Sequence, residues 1–353
     1  MSRSGEVGTL VGVVVPVHGT ERWVGQTLAS VRAQTHGRWV CVVVDDGSPD
    51  GAAEVVRRVA DEDPRVVLVR QANAGVCAAR NAGLRALPPE AEHVAFLDSD
   101  DVWEPDALEV LLAALAVRPD AVGVTATAEL CDEAGTLVTP GAHPLRMRSR
   151  LVVRRGRLVP LAPDRDTDFA SLAVAGRVFP PAVALLRRDV VERVGGFATD
   201  LVVSEDWHLF ARAAAHGPLV FLDRPVARYR RHAASATAQQ HARTTHYNDV
   251  VRRRLLEEAE DDEQRRAVVV AWRAVQLAAL VRSARKLLRE VAHLRTGAVL
   301  WRARPVVELA RTLLRRSPPV PDPTRAHLRQ AMIEVVQPRV VRRRRPRQGR
   351  TPS

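Results

Sequence analysis

Short apolar runs alternate with amphipathic stretches along residues 1–120 of the chain. In residues 21–34, for example, Val24, Leu28 and Val31 recur at the spacing of one helix face. Strands that alternate with helices are typical of a doubly wound sheet. The predicted strands are residues 10–17, 38–44, 66–69 and 92–97, and the predicted helices are residues 21–34, 51–62, 75–87 and 105–117.

The pattern becomes less regular after residue 117. A strand is predicted at residues 123–131, residues 151–158 are basic and irregular, and an apolar run at residues 182–186 precedes a helix at 188–194. A further helix is predicted at residues 205–216, followed by short strands at 219–222 and 226–229. The predicted fold class is therefore α/β, a three-layer sheet domain of Rossmann-like type.

From about residue 241 the composition changes to Arg, Ala, Leu and Val at helical spacing, with Val268, Trp272 and Val275 on one face. Seven Arg fall in residues 339–350, and charged sequence of this kind is typical of disorder. The predicted organisation is a disordered N-terminus at residues 1–8, an α/β domain at 9–238, a helical extension at 239–317 and a largely disordered tail at 318–353.

The positive charge of the chain is concentrated at its end. The 353 residues carry a formal net charge of +12, of which +11 falls after residue 300. The near-neutral body argues against nucleic-acid binding, and the Arg-rich end has neither interleaved aromatic residues nor a groove-reading motif. Two interpretations of that end stay open, namely attachment to an anionic membrane surface and a solubilising tail.

Cysteine usage and hydropathy bear on the compartment. Cys41, Cys77 and Cys131 are odd in number and lack metal-site spacing, which favours buried thiols in a reducing compartment. The N-terminus has no secretory signal pattern. No window of about 18 uncharged apolar residues predicts a membrane-spanning helix. The predicted location is the cytoplasm, with peripheral attachment to the inner face of the cell membrane as an extension of that prediction.

Three carboxylates fall within four positions, at Asp98, Asp100 and Asp101, directly after an apolar strand. Acids this close repel one another unless a cation lies between them, so the run is typical of a cation site at a sheet edge. The alternative is a solvated acidic turn that caps a helix beginning near Pro105.

A second strand ends in Asp45 and Asp46, followed by Gly47 and Ser48. The carboxyl ends of parallel strands gather ligands at one edge of a sheet, where a short acid can accept hydrogen bonds from a base or ribose. The alternative is an Asx turn that caps the next helix.

The third predicted site element is a helix start at Gly75, followed by small residues and Arg80. Free backbone donors and a planar cation favour a diphosphate or a base carbonyl. The alternative is close packing of helix on sheet, with Arg80 pairing Asp45 or Asp98.

Taken in order, these motifs resemble the large family of inverting, GT-A-type glycosyltransferases (family 2). The resemblance covers about residues 9–235, and six weak motifs in the right order make it specific. It is carried by residues 13–18, 43–48, 73–75 with 79–83, 96–101, 195–197 and 204–207.

The resemblance implies roles for individual residues. It implies that Asp206 is the base that removes the proton of the acceptor hydroxyl, and that Glu205 orients the residues around this base or reaches the acceptor. The alternative is that Ser204 and both acids cap a helix. His18 departs from the Asn that the family more often has. The implied donor-nucleotide residues are Pro16, Val17, His18, Asp45, Asp46, Gly75, Arg80, Asp98 and Ser99. The implied ligands of a divalent metal, Mn²⁺ or Mg²⁺, are Asp100, Asp98 and His232, the last alternatively an exposed basic strand end.

The predicted function is transfer of a sugar from a nucleotide-diphosphate sugar, with UDP-sugars favoured, to an acceptor hydroxyl with inversion. Cell-surface polysaccharide or glycoconjugate biosynthesis is the expected setting. A non-catalytic nucleotide-sugar-binding or basic scaffold protein is the alternative, but it would need no equivalent of Asp206. A nicotinamide dehydrogenase is disfavoured because no G-x-G-x-x-G follows the first strand. The donor sugar, the acceptor and the oligomeric state are not given by the sequence.

Overall fold

The computed structural model describes residues 8–138, 150–176, 178–232, 235 and 244–292. The predicted disorder at residues 1–8 and in the tail at 318–353 lies outside these residues, apart from Gly8. The first half of the chain alternates strand and helix as predicted, to within three residues at each boundary, except that the short strand Val102–Trp103 was not predicted. Its elements are β1 Leu10–Val17, α1 Glu21–Arg32, β2 Trp39–Asp46, α2 Ala52–Glu62, β3 Val66–Gln71, α3 Val76–Ala86, β4 Ala91–Phe96, β5 Val102–Trp103 and α4 Ala107–Ala116.

The second half contains two long strands, several short elements and two final helices. These elements are β6 Gly123–Cys131, β7 Leu151–Arg154, β8 Arg157–Pro160, α5 Phe169–Val174, β9 Ala184–Arg187, α6 Arg188–Arg193, α7 Glu205–Ala214, β10 Leu219–Arg230, α8 Thr244–Glu257 and α9 Asp262–Ala292.

An eight-stranded mixed sheet organises the molecule, with the strand order β3-β2-β1-β4-β9-β6-β10-β5. Strands β1 to β4 are parallel, while β9 pairs antiparallel with both β4 and β6. The α/β class is confirmed. The sheet departs from a simple doubly wound one because the antiparallel β9 separates the first four parallel strands from the parallel pair β6 and β10, and because β5 pairs antiparallel with β10.

The core explains why the early strands are continuous apolar runs. Val13, Val14 and Val15 of β1 are fully buried, as expected for parallel strands covered on both faces. Helix α3 packs so closely on β1 that a Cβ on Gly83 would lie 2.4 Å from Val14 Cγ1. The small residues of this helix therefore allow it to pack closely on the sheet, which was the alternative interpretation of the segment after Gly75.

Three local predictions are wrong. Residues 151–158 are not irregular, because β7 and β8 form a hairpin whose turn residues, Arg155 and Gly156, both have positive φ. The two strands predicted at 219–222 and 226–229 are one strand, β10, whose pairing with β6 is irregular around Pro225. Helix α4 begins at Ala107, so Pro105 precedes it.

Two compact units divide the chain, and the first runs to Val275. It includes α8 and the start of α9, where Val251, Leu255 and Val268 are buried in the main core. This unit extends past the predicted boundary at residue 238.

Helix α9 bears on the membrane prediction. Its residues Asp262–Arg285 are, by length and a mean hydropathy of 1.4, long and apolar enough to cross a membrane, and 22% of that window is buried. The window contains arginines, so the prediction based on uncharged residues did not detect it.

Candidate active site

Arg80 joins two acidic motifs that are more than 100 residues apart in sequence. Its guanidinium donates from Nη2 to Asp98 Oδ1 at 2.6 Å and from Nη1 to Glu205 Oε1 at 2.8 Å. Arg80 is 2% exposed and lies over the ring of Phe197. Burial lowers the pKa of Arg80, but Asp98 and Glu205 raise it by more, so the side chain is a permanent cation. Of the two pairings predicted for Arg80, the one with Asp98 is observed.

Asp98 lies two residues beyond the end of β4 and remains partly accessible, with 30% of its side chain exposed. Burial raises the pKa of this carboxyl above its ordinary value, and the Arg80 guanidinium opposes the shift without cancelling it. The salt bridge to Arg80 occupies Oδ1. Asp98 is therefore held in one orientation by α3.

Asp206 lies in the first turn of α7, beside Glu205. The backbone N–H of Trp207 donates to Asp206 Oδ1 at 2.6 Å. Burial, reinforced by repulsion from Glu205, raises the pKa of Asp206 to about 7. A carboxyl that titrates near neutral pH is suited to accepting a proton from a substrate.

The start of α7 does not show the Ser204 cap of the alternative interpretation. Ser204 has φ 63°, in the left-handed region, and its side chain makes no capping hydrogen bond. An N-cap residue normally needs extended backbone geometry for its oxygen to reach the helix amides, so Ser204 cannot act as one here.

Asp100 and His232 meet across the sheet edge, with Asp100 Oδ2 at 2.8 Å from His232 Nε2. The His232 ring packs on Trp23 of α1, with the centroids 4.1 Å apart. His232 is 4% exposed in its side chain, so the interpretation of an exposed basic strand end is wrong. The ring is fixed by stacking, and its Nε2 faces the acidic run.

Asp101 is buried behind the acidic run. Its side chain accepts a hydrogen bond from the backbone N–H of Arg230, on β10, at 3.0 Å. Burial raises the pKa of Asp101 well above its ordinary value, and Asp100 adds to this. Asp101 is thus a supporting acid that joins the run to β10, and it does not cap α4.

Asp45 is fully buried at the end of β2, where it pairs in register with Val17 of β1. Ser48 N–H donates to Asp45 Oδ1 at 3.0 Å and Arg70 Nε donates to Oδ2 at 3.1 Å. Burial raises the pKa of Asp45, but the hydrogen bonds from Ser48 and Arg70 outweigh this and lower it. A turn closed by Asp45 is therefore observed, but it does not cap α2, whose N-cap has no side-chain hydrogen bond. The turn and Arg70 keep the carboxylate ionised at the sheet edge.

Asp46 shapes the loop that precedes α3. Its carboxylate accepts hydrogen bonds from Gln71 Nε2, Ala74 N and Gly75 N, each at 2.8 Å. Gly75 has φ 87°, which permits the turn into the helix. The protein itself occupies both Asp46 oxygens, so this acid holds the loop in place.

The remaining predicted donor residues line the ends of the same strands. His18 is exposed, with Nδ1 at 3.0 Å from the Asp46 carbonyl oxygen. Pro16 and Val17 are buried, so only their backbone could meet a ligand. Ser99 is also buried, and its Oγ accepts a hydrogen bond from Thr20 Oγ1 at 2.9 Å.

The possible metal ligands near Asp100 fit a divalent cation that is also bound by a diphosphate. No group of three or more His, Cys, Asp or Glu side chains converges within the described ranges, and Asp98 Oδ1 is committed to Arg80. One carboxylate and one imidazole, facing each other at 2.8 Å, are nevertheless enough when substrate phosphates and water supply the other ligands. Asp100 and His232 therefore fit such an ion better than Asp98 does.

Two residues important to the site were missed by sequence reasoning. Arg70 pairs with Asp45, and it lies on β3, where nothing in the local sequence marks it. Arg230 is fully buried and donates from Nε to the Asp100 carbonyl oxygen at 2.7 Å. The sequence could have indicated Arg230, because an arginine at the end of a buried strand, just before His232, needs hydrogen-bond acceptors nearby.

Comparison with known proteins gives consistent matches. The model for "Glycosyl transferase family 2" matches residues 12–195, which is more than half of the chain but ends before α7. An uncharacterized glycosyltransferase of Nostoc sp., alr2836, is 30% identical over 66% of this chain and 70% of its own length. The succinoglycan biosynthesis protein ExoW of Rhizobium meliloti is 44% identical over 27% of this chain and 31% of its own. The chain thus spans less than a third of ExoW, and the match to GlyA of Streptococcus pneumoniae spans 14% of that protein.

Two solved structures share the fold. TarS 1-349 of S. aureus, in complex with UDP-GlcNAc, has a TM-score of 0.58 at 15% identity, covering 88% of this chain and 82% of that one. The mannosyltransferase PcManGT from Pyrobaculum calidifontis, in complex with GDP-Man and Mn²⁺, has a TM-score of 0.55 at 19% identity, covering 95% and 84%. With the family model and the Nostoc relative in agreement, the chain belongs to glycosyl transferase family 2.

Proposed function

We propose that the protein transfers a sugar from a nucleotide-diphosphate sugar to an acceptor hydroxyl in a single displacement with inversion. The observation that carries this proposal is the double salt bridge of Arg80, which brings Asp98 of the acidic run next to Glu205 and hence next to Asp206. A donor-binding acid and a potential base are thus parts of one cluster. Membership of family 2 supports the same reaction class.

A UDP-sugar is the favoured donor. TarS is described in complex with UDP-GlcNAc, whereas PcManGT is described in complex with GDP-Man. In this chain Asp45 lies buried at the end of β2 with Oδ1 bonded to Ser48 N–H and Oδ2 bonded to Arg70, so it would reach the base of the nucleotide only if Arg70, whose side chain is 59% exposed, moved off Oδ2. ExoW, which is named for succinoglycan biosynthesis, makes polysaccharide or glycoconjugate synthesis the favoured setting.

In the proposed reaction Asp206 accepts the proton of the attacking hydroxyl, while Glu205, fixed by Arg80, keeps the start of α7 in place. Asp98 and Ser99 border the ribose, and the loop held by Asp46 places the N-terminus of α3, after Gly75, next to the diphosphate. Asp100 and His232 would hold Mn²⁺ or Mg²⁺. When bound, that ion offsets the negative charge on the departing diphosphate.

A donor screen by nucleotide release tests this proposal. UDP-sugars and GDP-sugars are each supplied with Mn²⁺, with Mg²⁺ or with a chelator, in the presence of a mixture of glycan and lipid-linked acceptors. Metal-dependent release of UDP is the expected result. If no donor binds under any condition, the proposal is wrong; if a donor binds and no sugar is transferred to any acceptor, the non-catalytic binding alternative replaces it.

The pH dependence of the rate should follow Asp206. Because its pKa is raised to about 7, the base is half protonated at that pH, and kcat/KM for the acceptor should rise with pH and level off above about pH 8. The folded state also binds this proton more tightly than the unfolded state, so the contribution of Asp206 to the free energy of unfolding should fall as pH rises from about 4 to 7. A pH–rate profile measured with saturating donor checks the first effect; a flat profile from pH 5.5 to 8.5 would contradict it.

We also propose that the Arg-rich end attaches the enzyme to an anionic membrane surface, where a lipid-linked acceptor would be met. The net charge of +11 after residue 300 supports this, because each basic residue near such a surface contributes about 1 kcal/mol. The attraction decays within a Debye length, about 8 Å at physiological salt, so attachment should be sensitive to salt.

Truncation at Pro338 tests the membrane proposal, because it removes the seven arginines of residues 339–350. The truncated protein should sediment less with anionic liposomes at low salt, and it should keep full turnover of a soluble acceptor analogue. Zwitterionic liposomes are the control surface. Equal sedimentation of full-length and truncated protein would mean that the tail has no membrane role.

A further inference from the structure

Trp207, the residue directly after the proposed base, is enclosed by protein on several sides. Its ring is 3% exposed, and Nε1 donates to the carbonyl oxygen of Leu172, in α5, at 2.6 Å. A Cβ on Gly176 would lie 2.8 Å from Trp207 Cβ, so the backbone after α5 lies directly against this side chain. The position of Trp207 is therefore set by α5 and the residues that follow it.

Arg252 of α8 fixes the same piece of α5. It is 3% exposed, and it donates from Nε to Ala173 O at 3.3 Å and from Nη2 to Val174 O at 2.5 Å. These carbonyls belong to the last turn of α5, which has no helical partners for them. The guanidinium carbon also lies 5.2 Å from the centroid of the Trp207 ring. Arg252 therefore contacts both Trp207 and the turn that holds Trp207.

The next residue of α7 is held from the same side. His208 is fully buried, and its Nε2 lies 2.8 Å from Oε2 of Glu258, just beyond the end of α8. Two consecutive residues after Asp206 are thus held by the segment that follows the sheet. The backbone that carries Asp206 therefore cannot shift without moving these two side chains.

We propose that Arg252 is a positioning residue for the base Asp206, acting through Trp207 and the end of α5. The segment at residues 244–258 would then be required for full catalytic activity. This inference rests on the proposed function. Misplacing a catalytic group by about 1 Å can cost on the order of 100-fold in rate, so loss of the Arg252 contacts should be visible in kcat.

The test compares Arg252→Met with two matched variants in the full-length protein. Arg253→Met makes the same change at an exposed position one residue along the helix, and Leu255→Ala removes core packing from α8 while leaving the hydrogen bonds of Arg252 to α5 in place. Arg252→Met is expected to lower kcat at least about 10-fold, with the donor KM and the stoichiometry of UDP binding unchanged. Leu255→Ala should lower Tm as much or more, yet retain most of kcat, and Arg253→Met should resemble the unmodified protein.

Hydrogen exchange gives a second readout that does not depend on turnover. In Arg252→Met the backbone amides of residues 205–208 should exchange faster, while those of β1 should be unchanged. If their exchange is unaltered, or if Arg252→Met keeps the kcat of the unmodified protein, Arg252 is not a positioning residue. If instead the unmodified protein turns over no donor at all, the proposed function fails, and the exchange measurement still decides whether Arg252 holds the start of α7.

Discussion

Replacing Asp206 by asparagine is expected to reduce sugar transfer at least about 100-fold while leaving UDP affinity nearly unchanged. Asparagine has nearly the same shape and can still accept the hydrogen bond from Trp207 N–H, but it cannot take a proton from an acceptor hydroxyl. The measurements are nucleotide release with saturating donor and titration calorimetry with UDP.

Asp100→Ala provides the contrasting variant for Asp206→Asn. Asp100 faces His232 at the proposed cation site, so its loss should weaken metal-dependent UDP binding as well as transfer. With a chelator present, the difference in UDP affinity between Asp100→Ala and the unmodified protein should disappear. If Asp206→Asn alone eliminated UDP binding, the division of labour between these two acids would be wrong.

The second large effect is expected for Arg80→Met, which removes the cation between Asp98 and Glu205. Breaking a buried ion pair from one side typically costs about 3 to 5 kcal/mol, and we expect the lower end because 30% of the Asp98 side chain is exposed. Transfer should fall as well, because Glu205 and the start of α7 lose their link to the acidic run. Urea unfolding gives the free energy of unfolding, and nucleotide release gives the rate.

The loss of stability in Arg80→Met should depend on pH in a definite direction. Arg80 lowers the pKa of Asp98, so without Arg80 the Asp98 carboxyl binds a proton more tightly in the folded state. The stability deficit should therefore be larger at pH 8 than at pH 5. Arg85→Met, an exposed change on the same helix, is the control and should unfold like the unmodified protein. Equal stability of the two variants would show that the double salt bridge does not hold the cluster together.

The early strands were predictable because their apolar runs are continuous and bounded by turns. The predicted bounds of β1 and β6 agree with the observed ones, since each is a buried run with clear ends. The hairpin β7–β8 was not recognised, because its strands are partly exposed and basic, so neither periodicity nor a long apolar run marks them. Helix α5 is six residues long and was also missed.

The candidate site shows a similar division. Short acidic motifs in the sequence were enough to indicate Asp98, Asp100 and Asp45, because the ends of parallel strands gather at one sheet edge. The sequence could not tell which acids bind ligands and which hold the protein together, since that depends on partners far away in the chain. Asp46 is saturated by its own loop, and Asp101 is bound to β10.

The stereochemistry of the product tests the central claim most directly. In a single displacement with Asp206 as the base, the acceptor attacks the sugar on the face opposite the diphosphate. Proton NMR of the product formed early in the reaction from an α-linked UDP-sugar should therefore show a β-linked anomeric proton. An α-linked initial product would mean retention, and it would contradict both the single displacement and the role of Asp206 as its base.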